Sequence, residues 1–295
     1  MEEKINNPKI LFWGTPQFSV IVLEEMKKCG IIPDAIVTSP DKPKGRKLLL
    51  TPSPVKVWAE TNKIKFYQPE KLKDFLPEEN YDLCILAAYG KIIPKSILSM
   101  PKFGFLNIHP SILPKWRGPS PMQSSILNGD ETTGVSLMLL DEEMDHGPIL
   151  EQSEIKTKEW NPGYLELEKI SAEIGAKMLC EVIPKWIKKE IEPKEQKHEE
   201  ATFCKKIEKI DGFIPAEIIL KEQSSLDKII EAERKTRALN PDPGTYTIFK
   251  TQEKDIRVKI LSAKIENNKL VPIKVIPEGK KEMTWEDFLR GNKII

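Results

Sequence analysis

Cysteine and histidine are scarce in this chain of 295 residues, and charge of either sign is not in excess. The four cysteines, Cys29, Cys84, Cys180 and Cys204, lie far apart with no C-x-x-C spacing, so neither a zinc site nor a disulfide framework is signalled. They are expected as reduced structural thiols. No stretch approaches the roughly 18 consecutive apolar residues of a membrane span. The opening MEEKINNPKILFWG lacks the basic region and long apolar run of a secretory leader. A soluble, cytoplasmic protein is expected. Lysine plus arginine number 46 against 45 acids, a net charge of +1, which excludes a global attraction to nucleic acid or anionic membrane. Any such attraction must come from local patches. The turn GTPQF after the first apolar run has one glycine and no G-x-G-x-x-G, which removes the usual cradle for a dinucleotide pyrophosphate.

What is present is an ordered alternation. KILFW is a short strand, SVIVLEEMKKCG an amphipathic helix closed by Gly30, and DAIVTS, YDLCILAA, GFLNIH and VSLMLL read as further strands. Strands rich in β-branched and aromatic residues, separated by helical crossovers, predict a Rossmann-like α/β domain with a mostly parallel sheet covered on both faces. It is expected over residues 1–189, closing with the helix PGYLELEKISAEIGAKMLCEVIPKWIKK. EIEPKEQKHEEA has almost nothing apolar, and residues 190–207 are expected as an exposed linker. Residues 208–295 hold the helix SSLDKIIEAERKTRALN, stopped by NPDPG, and then the strands GTYTIF, DIRVKILSAKI and KLVPIKVI. This is a smaller, separate domain with a barrel-like sheet.

Open parallel sheets bind ligands at the carboxyl ends of their strands. The strand GFLNIH ends in Asn107-Ile108-His109, and a period of two puts Asn107 and His109 on one face. VSLMLL runs into DEEMDHG, whose Asp145 is a carboxylate within reach of the imidazole. An amide offers N–H to oxygen where negative charge develops, an imidazole moves protons near neutral pH, and a carboxylate orients it. None of the three is a strong nucleophile. The set suits attack of an external amine on an activated carbonyl through a tetrahedral oxyanion, and no metal is needed or signalled. The alternative is a satisfied core histidine beside a capping asparagine. His146 and His198 fall in a turn and in the linker and are expected to be exposed and structural.

NIHPSILPKWRGPSPMQSSILNGDETTGVSLMLLDEEMDHGPIL resembles the signature region of the formyltransferases that use 10-formyltetrahydrofolate: Asn-x-His, then Ser-[Leu/Ile]-Leu-Pro, then an Asp before a return strand. The resemblance implies Asn107, His109 and Asp145 as the catalytic trio, Ser111, Ile112, Leu113 and Pro114 as the segment holding the folate, and that folate as the formyl donor.

The stretch SPDKPKGRKLLLTPSPVK separates the branches of the family. From Asp41 to Lys56 it carries Lys42, Lys44, Arg46, Lys47 and Lys56 against Asp41 alone. A basic arm punctuated by glycine and proline suits a polyanion, since cations gain affinity at phosphates by releasing counterions; the alternative is an ordinary solvated loop. The arm is similar to the loop inserted in the methionyl-tRNA formyltransferase branch, which implies that Arg46, with Lys42, Lys44 and Lys47, engages the acceptor end of initiator methionyl-tRNA. ATFCKKIEKIDGFI, ALNPDPGTYT and PEGKKEMTWEDFLRG are similar to segments of that branch's second domain, an OB-like barrel that is abbreviated here, where only ENNKLVPI connects KILSAKI to KVIPEGKK. Arg234 to Lys281 holds twelve basic and five acidic residues, a balance that suits a tRNA backbone. The expected partners are that tRNA and the folate, with no membrane and a monomer as the default. A sugar formyltransferase, a formate-releasing hydrolase and a catalytically silent RNA-binding protein are the rivals. The first should lack the arm, and the last should have lost one of the trio.

Overall fold

The computed structural model describes residues 8–44, 48–158, 160–220, 225–252 and 254–294. Its elements in chain order are β1 (Ile10–Gly14), α1 (Gln17–Lys28), β2 (Ala35–Val37), β3 (Lys42–Lys44), β4 (Leu49–Thr51), α2 (Pro54–Thr61), β5 (Lys65–Tyr67), β6 (Leu83–Ala87), α3 (Lys95–Leu98), β7 (Phe105–His109), α4 (Pro121–Asn128), β8 (Thr132–Leu139), β9 (Ile149–Lys156) and α5 (Tyr164–Ile187). After these come α6 (Ala216–Leu220), α7 (Leu226–Leu239), β10 (Thr245–Lys250), β11 (Asp255–Glu266), β12 (Lys269–Pro277), β13 (Met283–Thr284) and α8 (Trp285–Gly291).

The first compact unit is built on a seven-stranded sheet in the order β5-β2-β1-β6-β7-β8-β9. The first five strands pair in parallel, while β8 runs antiparallel to β7 and β9 antiparallel to β8. β1 is buried along its whole length, as a central strand of a parallel sheet should be. On the face that carries Trp13, Cys84 and Phe105, an aromatic cluster packs Trp13 edge-on to Tyr89, with ring centroids 5.2 Å apart. On the other face α5 lies close against β7. A Cβ added to Gly175 would stand 2.5 Å from Ile108 Cγ2, so only glycine permits this approach.

The cysteine expectation needs one correction. Cys84 and Cys204 are not in a disulfide, but Cys29, at the C-terminus of α1, and Cys180, on α5, form one with Cα atoms 6.3 Å apart. The two are 151 residues apart in sequence, and only the packing of these helices brings them together. Spacing could not reveal the pair.

The second unit centres on a four-stranded antiparallel sheet, β10-β11-β12-β13. β10 and β13 are its two edges, so it has the open, shortened form predicted for the C-terminal domain. Its core joins Ile218 of α6 and Ile229 of α7 to Phe249, Val258, Ile260 and Val275 of the sheet, and α8 adds Trp285 and Phe288. Alternation along β10 buries Thr245, Thr247 and Phe249 and turns Tyr246, Ile248 and Lys250 outward.

The units divide the chain differently from the expected 1–189, 190–207 and 208–295. The first comprises the chain through Pro121, Thr132–Lys156 and Glu168–Cys204; the second comprises Met122–Glu131, Thr157–Leu167 and the chain from Lys205. The physical reason lies in α7. Arg234 donates to the Asn128 carbonyl at 3.1 Å and Arg237 to the Pro162 carbonyl at 3.0 Å, which ties two excursions of the first half into the second unit. In the other direction, backbone bonds join Arg117 to Thr202 and Cys204, each at 2.8 Å. Residues 190–207 are largely exposed, as a linker should be, but Gln196 and Cys204 are buried.

Candidate active site

β7 delivers the site. Its five residues are all buried, with Leu106 and Ile108 facing one side of the sheet and Phe105, Asn107 and His109 the other. Asn107 is 5% exposed, and among the described residues its side-chain amide has no hydrogen-bond partner. Its N–H groups are therefore available to an incoming oxygen.

His109 Nε2 lies 3.0 Å from the Trp116 carbonyl. A carbonyl only accepts, so Nε2 carries the hydrogen, and Nδ1 faces Asp145 Oδ1 at 3.5 Å. That is an ion-pair separation rather than a hydrogen bond. Both ring nitrogens look at oxygen.

Asp145 arrives by a route the strand order did not suggest. Because β8 is antiparallel to β7, its end lies beside the start of β7: the Leu140 N–H donates to the Phe105 carbonyl at 3.0 Å. The loop therefore leaves the sheet at the far end from His109 and folds back over the face. Asp145 sits at φ +50°, in the left-handed region, and its Oδ2 accepts the Gly118 N–H at 2.7 Å. Gly118 itself has φ +121°, and a Cβ there would stand 2.5 Å from the Cys204 carbonyl oxygen, so this donor is built on a position only glycine fills.

The segment Ser111-Ile112-Leu113-Pro114 follows β7 directly. Ser136 Oγ, opposite His109 in the sheet, donates to the Ser111 carbonyl at 2.6 Å and accepts the Leu113 N–H at 3.0 Å. Gln152 donates to the Leu113 carbonyl at 2.9 Å. Ser111 and Leu113 are buried, and Ile112 packs over Gly134, whose absent Cβ leaves room for its side chain. Ile112 and Pro114 are half-buried, which leaves them as the pair able to touch a bound ring.

In the basic arm, Lys42 and Lys44 lie on β3, which forms a two-stranded hairpin with β4. Arg46 and Lys47 lie outside the described residues. Lys56 is not part of a loose arm. It falls in α2, capped by Ser53, whose Oγ accepts the Lys56 N–H at 3.0 Å, and its ammonium pairs with Asp41 at 2.7 Å. Hydrogen bonds from Gln68 and Lys56 hold the Asp41 carboxyl below the usual carboxylate range. Leu48, Leu49 and Leu50 are at least 65% exposed at the return of the hairpin.

On the second unit the outward face of β10 and β11 carries Lys250, Arg257 and Lys259, with the Arg257 guanidinium 3.8 Å above the Tyr246 ring. A stacked guanidinium beside an aromatic suits a nucleic acid.

Sequence reasoning missed three participants. Trp116 enters through its carbonyl, for which a sequence carries no signal. Gln196 lies in a polar segment that no pattern marks, and Arg117 stands in a stretch rich in proline and glycine that signals only a loop. His146 and His198 stack with centroids 4.0 Å apart; His146 bonds Asp141 at 2.6 Å, and His198 is exposed.

A buried amide free to donate, an imidazole and a facing carboxylate meet on one face of β7, a set whose chemistry suits group transfer through an oxyanion. The formyl transferase family model matches residues 8–183. A methionyl-tRNA formyltransferase from Chloroflexus aurantiacus is 41% identical over 252 residues, covering 83% of this chain and 77% of its own. The one from Bacillus velezensis is 36% identical over 312 residues, covering 97% and 95%. An N-formyltransferase from Helicobacter canadensis, solved with folinic acid and dTDP-3-aminofucose, shares the fold at a TM-score of 0.59 with 18% identity, covering 88% of this chain and 89% of that one. The chain belongs to the formyl transferases and, within them, to the methionyl-tRNA formyltransferases. Its reaction is formyl transfer to methionyl-tRNA. No helix among the described residues is long and apolar enough to cross a membrane.

Proposed function

We propose that Asn107, His109 and Asp145 act together in transferring the formyl group of 10-formyltetrahydrofolate to the α-amine of methionine on initiator methionyl-tRNA, for translation initiation in the cytoplasm. One observation carries the reading: a buried strand turns Asn107 and His109 to one face, and His109 Nδ1 looks at Asp145 Oδ1 across 3.5 Å. The amine attacks the formyl carbon, and the tetrahedral intermediate collapses by breaking the bond to N10, which leaves as tetrahydrofolate and takes up the proton that the amine gives up. The Asn107 amide donates to the oxyanion, His109 joins it by turning its Nε2–H from the Trp116 carbonyl to that oxygen, and Asp145 orients His109 and takes part in the proton relay. An α-amine titrates at about 7.7 to 8.0, so its deprotonation asks for only a weak base. Positioning and oxyanion stabilisation supply most of the rate, with one donor worth about 3 kcal/mol. Ser111, Ile112, Leu113 and Pro114 border the folate. Arg46, aided by Lys42, Lys44 and Lys47, grips the acceptor end of the tRNA, and the protein works as a monomer.

The test is transfer of labelled formyl from 10-formyltetrahydrofolate to methionyl initiator tRNA, with a free amino sugar as parallel acceptor. Asn107→Ala and Asp145→Asn should each lower turnover by about a hundredfold or more while tRNA affinity holds. A wild-type rate in either variant removes that residue from the reaction. Formyl-sugar or free formate in place of formyl-methionyl-tRNA overturns the acceptor.

A further inference from the structure

We propose that Arg117 and Gln196 are positioning residues that hold Asp145 against His109, an inference that rests on the catalytic reading above. Arg117 is 4% exposed, yet among the described residues no carboxylate pairs with it. Its Nε and one terminal nitrogen donate to Gln196 Oε1 at 3.1 and 2.6 Å, and the same terminal nitrogen donates to His198 Nδ1 at 2.9 Å. Burying a guanidinium on neutral acceptors is an expensive way to fill space, and an aliphatic residue would do that more cheaply.

What the guanidinium provides is orientation. Arginine has no acceptor, so the Gln196 oxygen must face it, and the amide nitrogen must face the other way. There Nε2 donates to the Asp145 carbonyl at 2.9 Å and to the Gly147 carbonyl at 2.7 Å. Gln196 is itself 5% exposed, with both ends of its amide in use. These two bonds bracket the turn in which Asp145 adopts φ +50°, a conformation that persists in a non-glycine residue when its surroundings fix it. The residue after Arg117 completes the clamp, since the Gly118 N–H holds Asp145 Oδ2. Asp145 is thus gripped at its carbonyl and at its carboxylate, and both grips lead back to Arg117. The segment read as a linker closes the clamp by hydrogen bonding the Arg117 backbone through Thr202 and Cys204.

Gln196→Glu separates positioning from folding. It keeps an acceptor for Arg117 and supplies the carboxylate that the buried cation lacks, but it takes away both donations to the loop. The full-length variant melts somewhat earlier, since a carboxylate oxygen then faces two carbonyls, but where folded it should keep its KM for methionyl-tRNA and for 10-formyltetrahydrofolate and lose about ten- to a hundredfold in kcat, the cost of a misplaced group. Placed on Asp145→Asn, the same change should cost less than about threefold, because the two residues act through one contact. An unchanged kcat in folded Gln196→Glu overturns the proposal, as does an undiminished loss in the Asp145→Asn background. Should Gln196→Glu not fold, Arg117→Lys decides. It keeps the charge without the fork, and a reduced kcat at constant KM supports the assignment while a full kcat overturns it. A full kcat in Asp145→Asn alone would instead remove the catalytic group, a result distinct from all of these.

Discussion

An amide side chain 5% exposed and bonded to nothing else in the protein, as Asn107 is among the described residues, has its donors open to an incoming oxygen, as the proposed oxyanion role requires. His109 is held differently, with one nitrogen tied to the Trp116 carbonyl and the other left to face Asp145. Chemistry at this scale also governs the cysteines. Burial pushes the Cys84 thiol up to about 12. The thiolate is the reactive form, so labelling of native Cys84 by a disulfide reagent should be negligible at pH 8 and become rapid on unfolding in urea. Fast labelling of Cys84 in the folded protein, followed by peptide mapping, would contradict its place in the aromatic core. Asn107 and His109 were legible in the sequence because a strand's period of two leaves no choice of face. Arg117 and Gln196 were not, because hydrophobic patterning registers apolar burial and passes over a polar group that is buried by being fully bonded.

At the scale of elements, β7 has to stay where α5 presses it. Gly175 permits that contact, and Gly175→Val would drive two methyl groups into Ile108. Overpacking of this kind costs about 1 to 3 kcal/mol, and the shift would be passed to the strand that carries Asn107 and His109. Urea denaturation should show a lower midpoint at unchanged slope, and formyl transfer should fall further than the lost folded fraction explains. A full-rate, fully stable variant would show that α5 yields and β7 does not. The parallel strands and α5 were readable from periodicity and length. The approach of Asp145 was not, since the antiparallel setting of β8 sends its loop off at the wrong end, and no local pattern records that the loop folds back.

The whole molecule is almost neutral, so its attraction to an anion must be a matter of distribution. Twelve basic residues against five acidic lie between Arg234 and Lys281, and Arg257 and Lys259 stand exposed on the outer face of the second sheet. The double variant Arg257→Glu/Lys259→Glu should raise KM for methionyl-tRNA severalfold at low salt, leave kcat in place, and flatten the salt dependence of binding by about one log unit per lost phosphate contact. An identical salt slope in parent and variant would assign this face no part in binding. The Cys29–Cys180 pair belongs to this scale too, because it joins residues that only the finished fold brings together.

The strand of chain from Lys194 to Cys204 has a bearing on how such enzymes are put together. A tether between two modules leaves each free to be exchanged, but this one is woven into the first module, with Lys194 bonded to Ile149, Gln196 under the Asp145 loop, and Cys204 against Gly118. The chain leaves the first module for the last time only after Cys204, and two earlier excursions, Met122–Glu131 and Thr157–Leu167, already belong to the second. A chimera spliced at the end of α5 would discard the chain that holds the Asp145 loop and the Arg117 backbone in place.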